Sequence, residues 1–228
     1  CAPSRGRAAV IDVSAGRTVT VLVHGLWVHG VLMQLQRRYL ARMGFDPVCY
    51  SYPSVRLTLT ENADRLGAFA RSLAAPRIHW VGHSLGGLVI LRMLERESAL
   101  PPGRVVLAGT PYGGSRSGRV LAGNALGARA LGRSMREWLD MKKPARFPGR
   151  EIGVIAGTLS VGLGRLVAHD LPAPNDGAVT VAETRLAAAC DFIELPVSHM
   201  GMLLSRRVAH QTGIFLRDGR FDRGVAGT

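Results

Sequence analysis

Residues 77–82 (RIHWVG) run straight into His83-Ser84-Leu85-Gly86-Gly87, and a helical apolar stretch follows from Leu85 to about Glu97. This passage constrains the chain more than any other. A buried-looking strand that becomes a helix without a linker must reverse sharply, and the small residues at 82 and 86 permit the reversal. The helix then returns along the sheet, so the next strand lies parallel to the last. The turn also pushes the Ser84 hydroxyl out of the sheet at the N-terminus of the helix.

The same rhythm extends in both directions. Strands are expected at residues 18–23 (TVTVLV), 47–52, 77–82, 104–110, 151–158 and 191–197, and helices at 30–43, 60–73, 85–97 and 202–216. Alternation of this kind predicts an α/β architecture with a mostly parallel sheet of about six strands flanked by helices. Residues 8–13 are the only further candidate for a strand. The rhythm breaks after Thr110, where residues 111–150 lack a strand pattern. Val120, Leu121, Leu131, Met135, Trp138 and Leu139 fall roughly on one helical face there, weakened by Gly123, Gly127 and Gly132. This stretch is expected to be a small helical cap inserted in one domain that spans residues 1–228, a length that suits a single core.

Composition excludes several classes of protein. The hydrophobic fraction of 47% and charged fraction of 20% are those of a globular chain. No apolar run is long enough to span a membrane. The net charge of +13 is almost all arginine, with lysine only at Lys142 and Lys143. Residues 116–150 hold nine arginines and lysines against Glu137 and Asp140, a net of +7. Two readings of this charge stand side by side: a basic but unspecialised surface, and peripheral contact with an anionic membrane surface. Nucleic acid is not an expected partner, because no basic helix, zinc pattern or aromatic-basic sheet motif occurs. No metal or organic cofactor is expected either, since no His/Cys cluster has ligand spacing. Cys1, Cys49 and Cys190 are too few for a disulfide framework, and Cys49 and Cys190 belong near opposite edges of the sheet. Cys1 admits a trimmed N-terminus, with cytoplasmic placement favoured, or the lipid-bearing residue of a bacterial lipoprotein.

The candidate chemistry starts at Ser84. A serine hydroxyl needs a base to take its proton, and on a turn of this type the acid and then the histidine come from later in the chain. Of the downstream histidines His169, His199 and His210, His199 stands directly after the last apolar strand, on a short loop at the carboxyl edge of the sheet. His210 falls inside a helix beside Arg206 and Arg207. The acid is expected after the strand at 151–158, where Asp170 and Asp176 are found. Asp176, in the Asn175-Asp176-Gly177 turn, is favoured because a tight turn holds a carboxylate firmly. A tetrahedral intermediate needs N–H donors for its oxyanion, and the Leu85 and Leu26 backbone groups are placed to supply them. His24 and His83 are expected to orient turns rather than transfer protons.

Five motifs in order, His24-Gly25-Leu26-Trp27, Gly82-His83-Ser84-Leu85-Gly86-Gly87, Gly109-Thr110-Pro111-Tyr112-Gly113-Gly114-Ser115, Asn175-Asp176-Gly177 and Ser198-His199, resemble the bacterial lipase-like and esterase branch of the α/β-hydrolase superfamily. The resemblance runs from about residue 18 to 216. It implies an α/β-hydrolase fold and hydrolysis of a small-molecule or lipid carboxylic ester through a Ser-His-Asp triad and an acyl-enzyme. An acyltransferase with the same triad and an inactive binding protein on the same fold are the alternatives. The first strands of the fuller fold are nearly absent, and the cap is small.

Overall fold

A computed structural model of the chain describes residues 17–28, 30–161 and 170–224. Residues 8–13, Cys1 and His169 lie outside them. Six parallel strands form one sheet: β1 (Val19–Val23), β2 (Pro47–Tyr50), β3 (Ile78–His83), β4 (Val105–Ala108), β5 (Ile152–Gly157) and β6 (Asp191–Leu195), in the spatial order β2-β1-β3-β4-β5-β6. The inner strands are apolar on both faces, as a sheet covered twice requires. Val21, Trp80, Leu107 and Val154 face one side with α2 (Leu59–Ser72) and α3 (Leu85–Arg96). Leu22, Val81, Val106 and Ile155 face the other, under α1 (Gln34–Arg42) and a C-terminal helix at residues 206–218.

The order of the strands decides where a site can form. Among the described residues the chain enters the sheet at β1, steps out to β2 and returns past β1 to β3. Connections therefore leave the carboxyl ends of β1 and β3 in opposite directions, which opens a crevice between them. The HGLW turn follows β1, and Ser84 follows β3.

Several elements differ from expectation. The helix expected at 30–43 opens as a 3-10 turn, Gly30–Met33, before α1. The stretch at 111–150 holds two helices, α4 (Arg116–Ala122) and α5 (Ala125–Asp140), capped by the Ser115 and Asn124 side chains. Gly132 breaks α5 with φ 76° and ψ 173°, where a Cβ would lie 2.6 Å from the Val55 Cα. Arg133 N–H leaves the helical ladder there and donates to the Val55 carbonyl at 2.9 Å. A short helix, α6 (Val181–Thr184), precedes β6. The closing helix splits into α7 (Gly201–Leu204) and α8 (Arg206–Asp218). The buried Gln36 amide donates to the Met202 and Ser205 carbonyls, at 2.7 and 3.0 Å, and so satisfies the groups that the split exposes. Cys49 on β2 and Cys190 beside β6 stand at opposite edges of the sheet, and both are free thiols.

Candidate active site

Ser84 is the N-cap of α3 and has φ 54° and ψ −125°, a conformation that costs a non-glycine residue about 1–3 kcal/mol. The surrounding frame imposes it. Ser84 N–H donates to the Ala108 carbonyl on β4 at 2.9 Å, and the Ser84 carbonyl accepts from Gly87 N–H at 3.1 Å. Gly86 must lack a side chain, because a Cβ would fall on the Val23 and His24 carbonyls.

His199 and Asp176 meet from two different loops. The His199 ring pairs through Nδ1 with Asp176 Oδ2 at 2.7 Å, and His199 N–H donates to the Asp176 carbonyl at 2.8 Å. With Nδ1–H donating to the carboxylate, Nε2 carries the lone pair. The other carboxylate oxygen, Oδ1, accepts from Ala178 N–H at 2.9 Å and Val179 N–H at 2.7 Å. The Asp176 side chain is 1% exposed and that of His199 15%, so the carboxylate is sealed while the imidazole reaches open space. Gly109, with φ 58°, makes this approach feasible, since a Cβ would stand 3.2 Å from both Asp176 Oδ2 and His199 Nδ1.

The other acid and histidines are placed elsewhere. Asp170 pairs with Arg116 on the surface, and His210 is exposed on α8. His83 is buried, and its Nε2 lies 2.9 Å from the His199 carbonyl, to which it donates. Burial, reinforced by His199, pushes its pKa down to about 3. It therefore stays neutral and braces the loop of His199. His24 orients the HGLW turn: Nδ1 donates to the Gly25 carbonyl at 2.9 Å, Nε2 accepts from Tyr52 N–H at 3.2 Å, and Tyr52 stacks on the ring.

Ser84, His199, Leu26 and Leu85 all line one cavity of about 350 Å³. The Leu26 and Leu85 N–H groups donate to no other described group, which leaves them available to an oxygen in the cavity. Trp27, with φ 57°, holds the Leu26 turn in place: its indole N–H donates to the Ala130 carbonyl of α5 at 2.8 Å. Gly109, the Trp27–Ala130 strut and the cavity wall on α5 are not read from the sequence. The Gly-Thr-Pro motif marks the neighbourhood of Gly109, but a positive φ leaves no separate signal in a sequence. No group of three or more His, Cys, Asp or Glu side chains able to hold a metal occurs among the described residues.

Residues 20–216 match the model of the alpha/beta hydrolase family, and the chain belongs to it. A lipase of Bacillus licheniformis, BlEst2 in its mature form, superposes with a TM-score of 0.70 at 19% identity over 90% of this chain and 92% of its own. The metagenomic carboxyl esterase MGS0156 gives a TM-score of 0.64 at 19% identity, over 90% of this chain and 76% of its own. RedJ, a thioesterase of the prodiginine pathway of Streptomyces coelicolor, gives 0.61 at 15% identity, over 93% and 90%. At these identities the likeness is one of fold. No curated protein matches the sequence.

Proposed function

We propose that the protein is a serine hydrolase that cleaves carboxylic esters, with Ser84 as nucleophile, His199 as base and Asp176 as its orienting acid. The observation that carries this reading is the His199–Asp176 bond of 2.7 Å, which in the neutral ring puts the lone pair on Nε2, with His199 and Ser84 lining the same apolar cavity. His199 takes the Ser84 proton as the hydroxyl attacks the ester carbonyl, and the oxyanion is held by the Leu26 and Leu85 N–H groups. The proton then passes to the departing alcohol, and water releases the acyl group by the same route. Helices α4 and α5 act as the cap over this site, within one domain. Ser84→Ala is expected to lower kcat on a soluble aryl ester by about 10⁴–10⁶-fold with an unchanged circular dichroism spectrum. A fluorophosphonate is expected to label Ser84 in the wild type. Retention of more than about one per cent of activity in the folded variant rejects the nucleophile. Added alcohols separate the hydrolase from an acyltransferase by the products formed.

A second reading concerns the surroundings of the site. Nine large apolar side chains are well exposed among the described residues, and all stand on connections leaving the carboxyl ends of β1, β4, β5 and β6. They include Trp27, Val31, Leu126, Val161, Met200 and Leu204. An apolar rim at the mouth of the site, next to the basic 116–150 stretch, suits peripheral contact with an anionic membrane surface. The inserted residues would be those of the rim. Leu131, Met135 and Trp138, the heart of the apolar face expected for the cap, are buried in the core and do not contribute.

A further inference from the structure

If the reaction is ester hydrolysis at Ser84, the cavity must hold an acyl group on one side and an alcohol on the other. The walls come from different parts of the chain. Ala178, Val179 and Met200 belong to the loops that carry Asp176 and His199. Leu121, Leu131 and Met135 belong to α4 and α5. Once Ser84 has attacked, the reacting carbon bears the Ser84 oxygen, the oxyanion, the leaving oxygen and the acyl chain. The oxyanion is directed at the Leu26 and Leu85 N–H groups. The leaving oxygen must accept the proton from His199 Nε2, so the alcohol lies along the His199 wall. The acyl chain is left with the remaining apolar lining, that of α4 and α5.

That wall has a definite chemistry. None of the residues lining the cavity is Asp, Glu, Lys or Arg. Of its hydroxyls, Ser117 donates to the Ala178 carbonyl at 2.7 Å, while Ser115 and Ser198 accept from Gly118 and Gly201 N–H groups and each keep a hydroxyl proton. A charged acyl group would find no side chain of opposite charge there and would carry most of its cost of desolvation. The wall also has an end. Leu131 and Met135 belong to the same buried cluster as Trp138, so a chain that reaches them meets core and not solvent. At about 350 Å³ the cavity is near the lower limit for ligand sites, roughly 300 Å³, and has no room for several acyl chains at once.

We propose that Leu121, Leu131 and Met135 form the acyl subsite, and that the substrates are esters of single, uncharged, medium-chain carboxylic acids. This assignment rests on the hydrolase reading above and adds to it the direction, chemistry and depth of the acyl side.

The test is kcat/KM for p-nitrophenyl acetate, butyrate, octanoate and palmitate. The wild type is expected to gain up to about fourfold per methylene, the equivalent of about 0.8 kcal/mol, as far as octanoate and to fall at palmitate. Met135→Trp fills the end of the subsite and is expected to move the maximum to butyrate. Leu121→Trp, at a half-buried position that tolerates a larger side chain, is expected to move it the same way if Met135→Trp fails to fold. Met200→Trp, on the His199 wall, is expected to alter the preference between methyl and benzyl octanoate and to leave the acyl maximum in place. The p-nitrophenyl half-ester of octanedioic acid is expected to be at least a hundredfold poorer than the octanoate. An acyl maximum that moves with Met200→Trp and not with the α4 and α5 variants overturns the assignment, as does equal turnover of the half-ester. Wild type inert on every ester, or turnover that survives in Ser84→Ala, rejects the hydrolase reading itself.

Discussion

Two aspartates follow β5, and the fold holds them differently. Asp176 spends Oδ1 on two backbone N–H groups and Oδ2 on His199, while Asp170 is half exposed and paired with Arg116. Asp176→Asn replaces an acceptor with an amide that can present N–H to the ring, which favours the wrong tautomer. Under the triad reading it is expected to lower kcat by about 10⁴-fold, the scale of such a change in other triads. Asp170→Asn is expected to stay within a factor of two in the same assay. Equal losses would reject Asp176 as the acid. His79 shows a different use of burial. Buried on β3, it accepts the Arg104 N–H at Nδ1, and burial assisted by Arg104 and Arg77 pushes its pKa down to about 4. In the unfolded chain the ring titrates near 6.5. As pH falls below 6.5 the unfolded state takes up a proton that the folded state refuses, so stability is complete above 6.5 and drains away towards pH 4. His83 adds to the same loss over a window reaching about 3. Each contributes at most about 1.4 kcal/mol per pH unit. Urea midpoints measured between pH 7.5 and 4.5 should fall accordingly, and His79→Gln, which keeps an acceptor for Arg104, should flatten the slope.

At the scale of elements, α5 carries the most unusual backbone. Gly132 is in a conformation that other residues rarely adopt, against the backbone of Val55. Gly132→Ala adds a Cβ where there is no space and removes the freedom that the kink needs. A loss of about 1–3 kcal/mol in unfolding free energy is expected, read as a lower urea midpoint. An unchanged midpoint would mean that α5 can straighten at no cost. The sequence announces α5 as a helix, since Leu131, Met135 and Trp138 recur at helical spacing. It gives Gly132 only as a weakness in the pattern, because a φ of the wrong sign is set by what packs on the helix and not by its own residues. The six strands are legible because each is a short segment rich in β-branched, aromatic or other apolar residues, although Asp191 and Glu194 interrupt the run in β6, and the parallel order follows from the helices between them. The break at Ser205 is poorly legible: Met202 to Leu216 keeps its helical period, and although Ser205 caps the second helix, the carbonyls freed at the break are satisfied by Gln36, more than 160 residues away in the chain. At the site, Ser84 and His199 are legible because strand ends mark them. The strut from Trp27 to Ala130 is not, since it joins two segments with no common pattern.

For the whole molecule, the 116–150 stretch, with seven of the thirteen net positive charges, and the exposed apolar side chains belong to connections that leave the carboxyl ends of strands. Leu126, Arg129, Arg133 and Arg136 fall on a single stripe of α5 by spacing, although the kink at Gly132 interrupts it. Under the membrane reading, binding to vesicles with anionic lipid should exceed binding to neutral vesicles and fade as salt shortens the reach of the charges. Changing Arg129, Arg133 and Arg136 together to Gln is expected to weaken binding to anionic vesicles by about a hundredfold, at about 1 kcal/mol per arginine. Equal binding to both kinds of vesicle at low salt removes the membrane reading and leaves a basic surface without a specialised partner.

The Trp27–Ala130 hydrogen bond ties the turn that presents the Leu26 N–H to the helix whose Leu131 and Met135 line the cavity. Under the proposed hydrolase reading, an acyl chain lying against α5 presses on the mounting of an oxyanion donor. Energy gained far from the carbonyl can be spent at the carbonyl, and longer acyl groups should then raise kcat as well as lower KM. Removing the indole N–H with Trp27→Phe disconnects the two, so that acyl length should register in KM alone. In that view α5 works as a lever: one arm feels the substrate's tail, and the other steadies the charge that develops at its head.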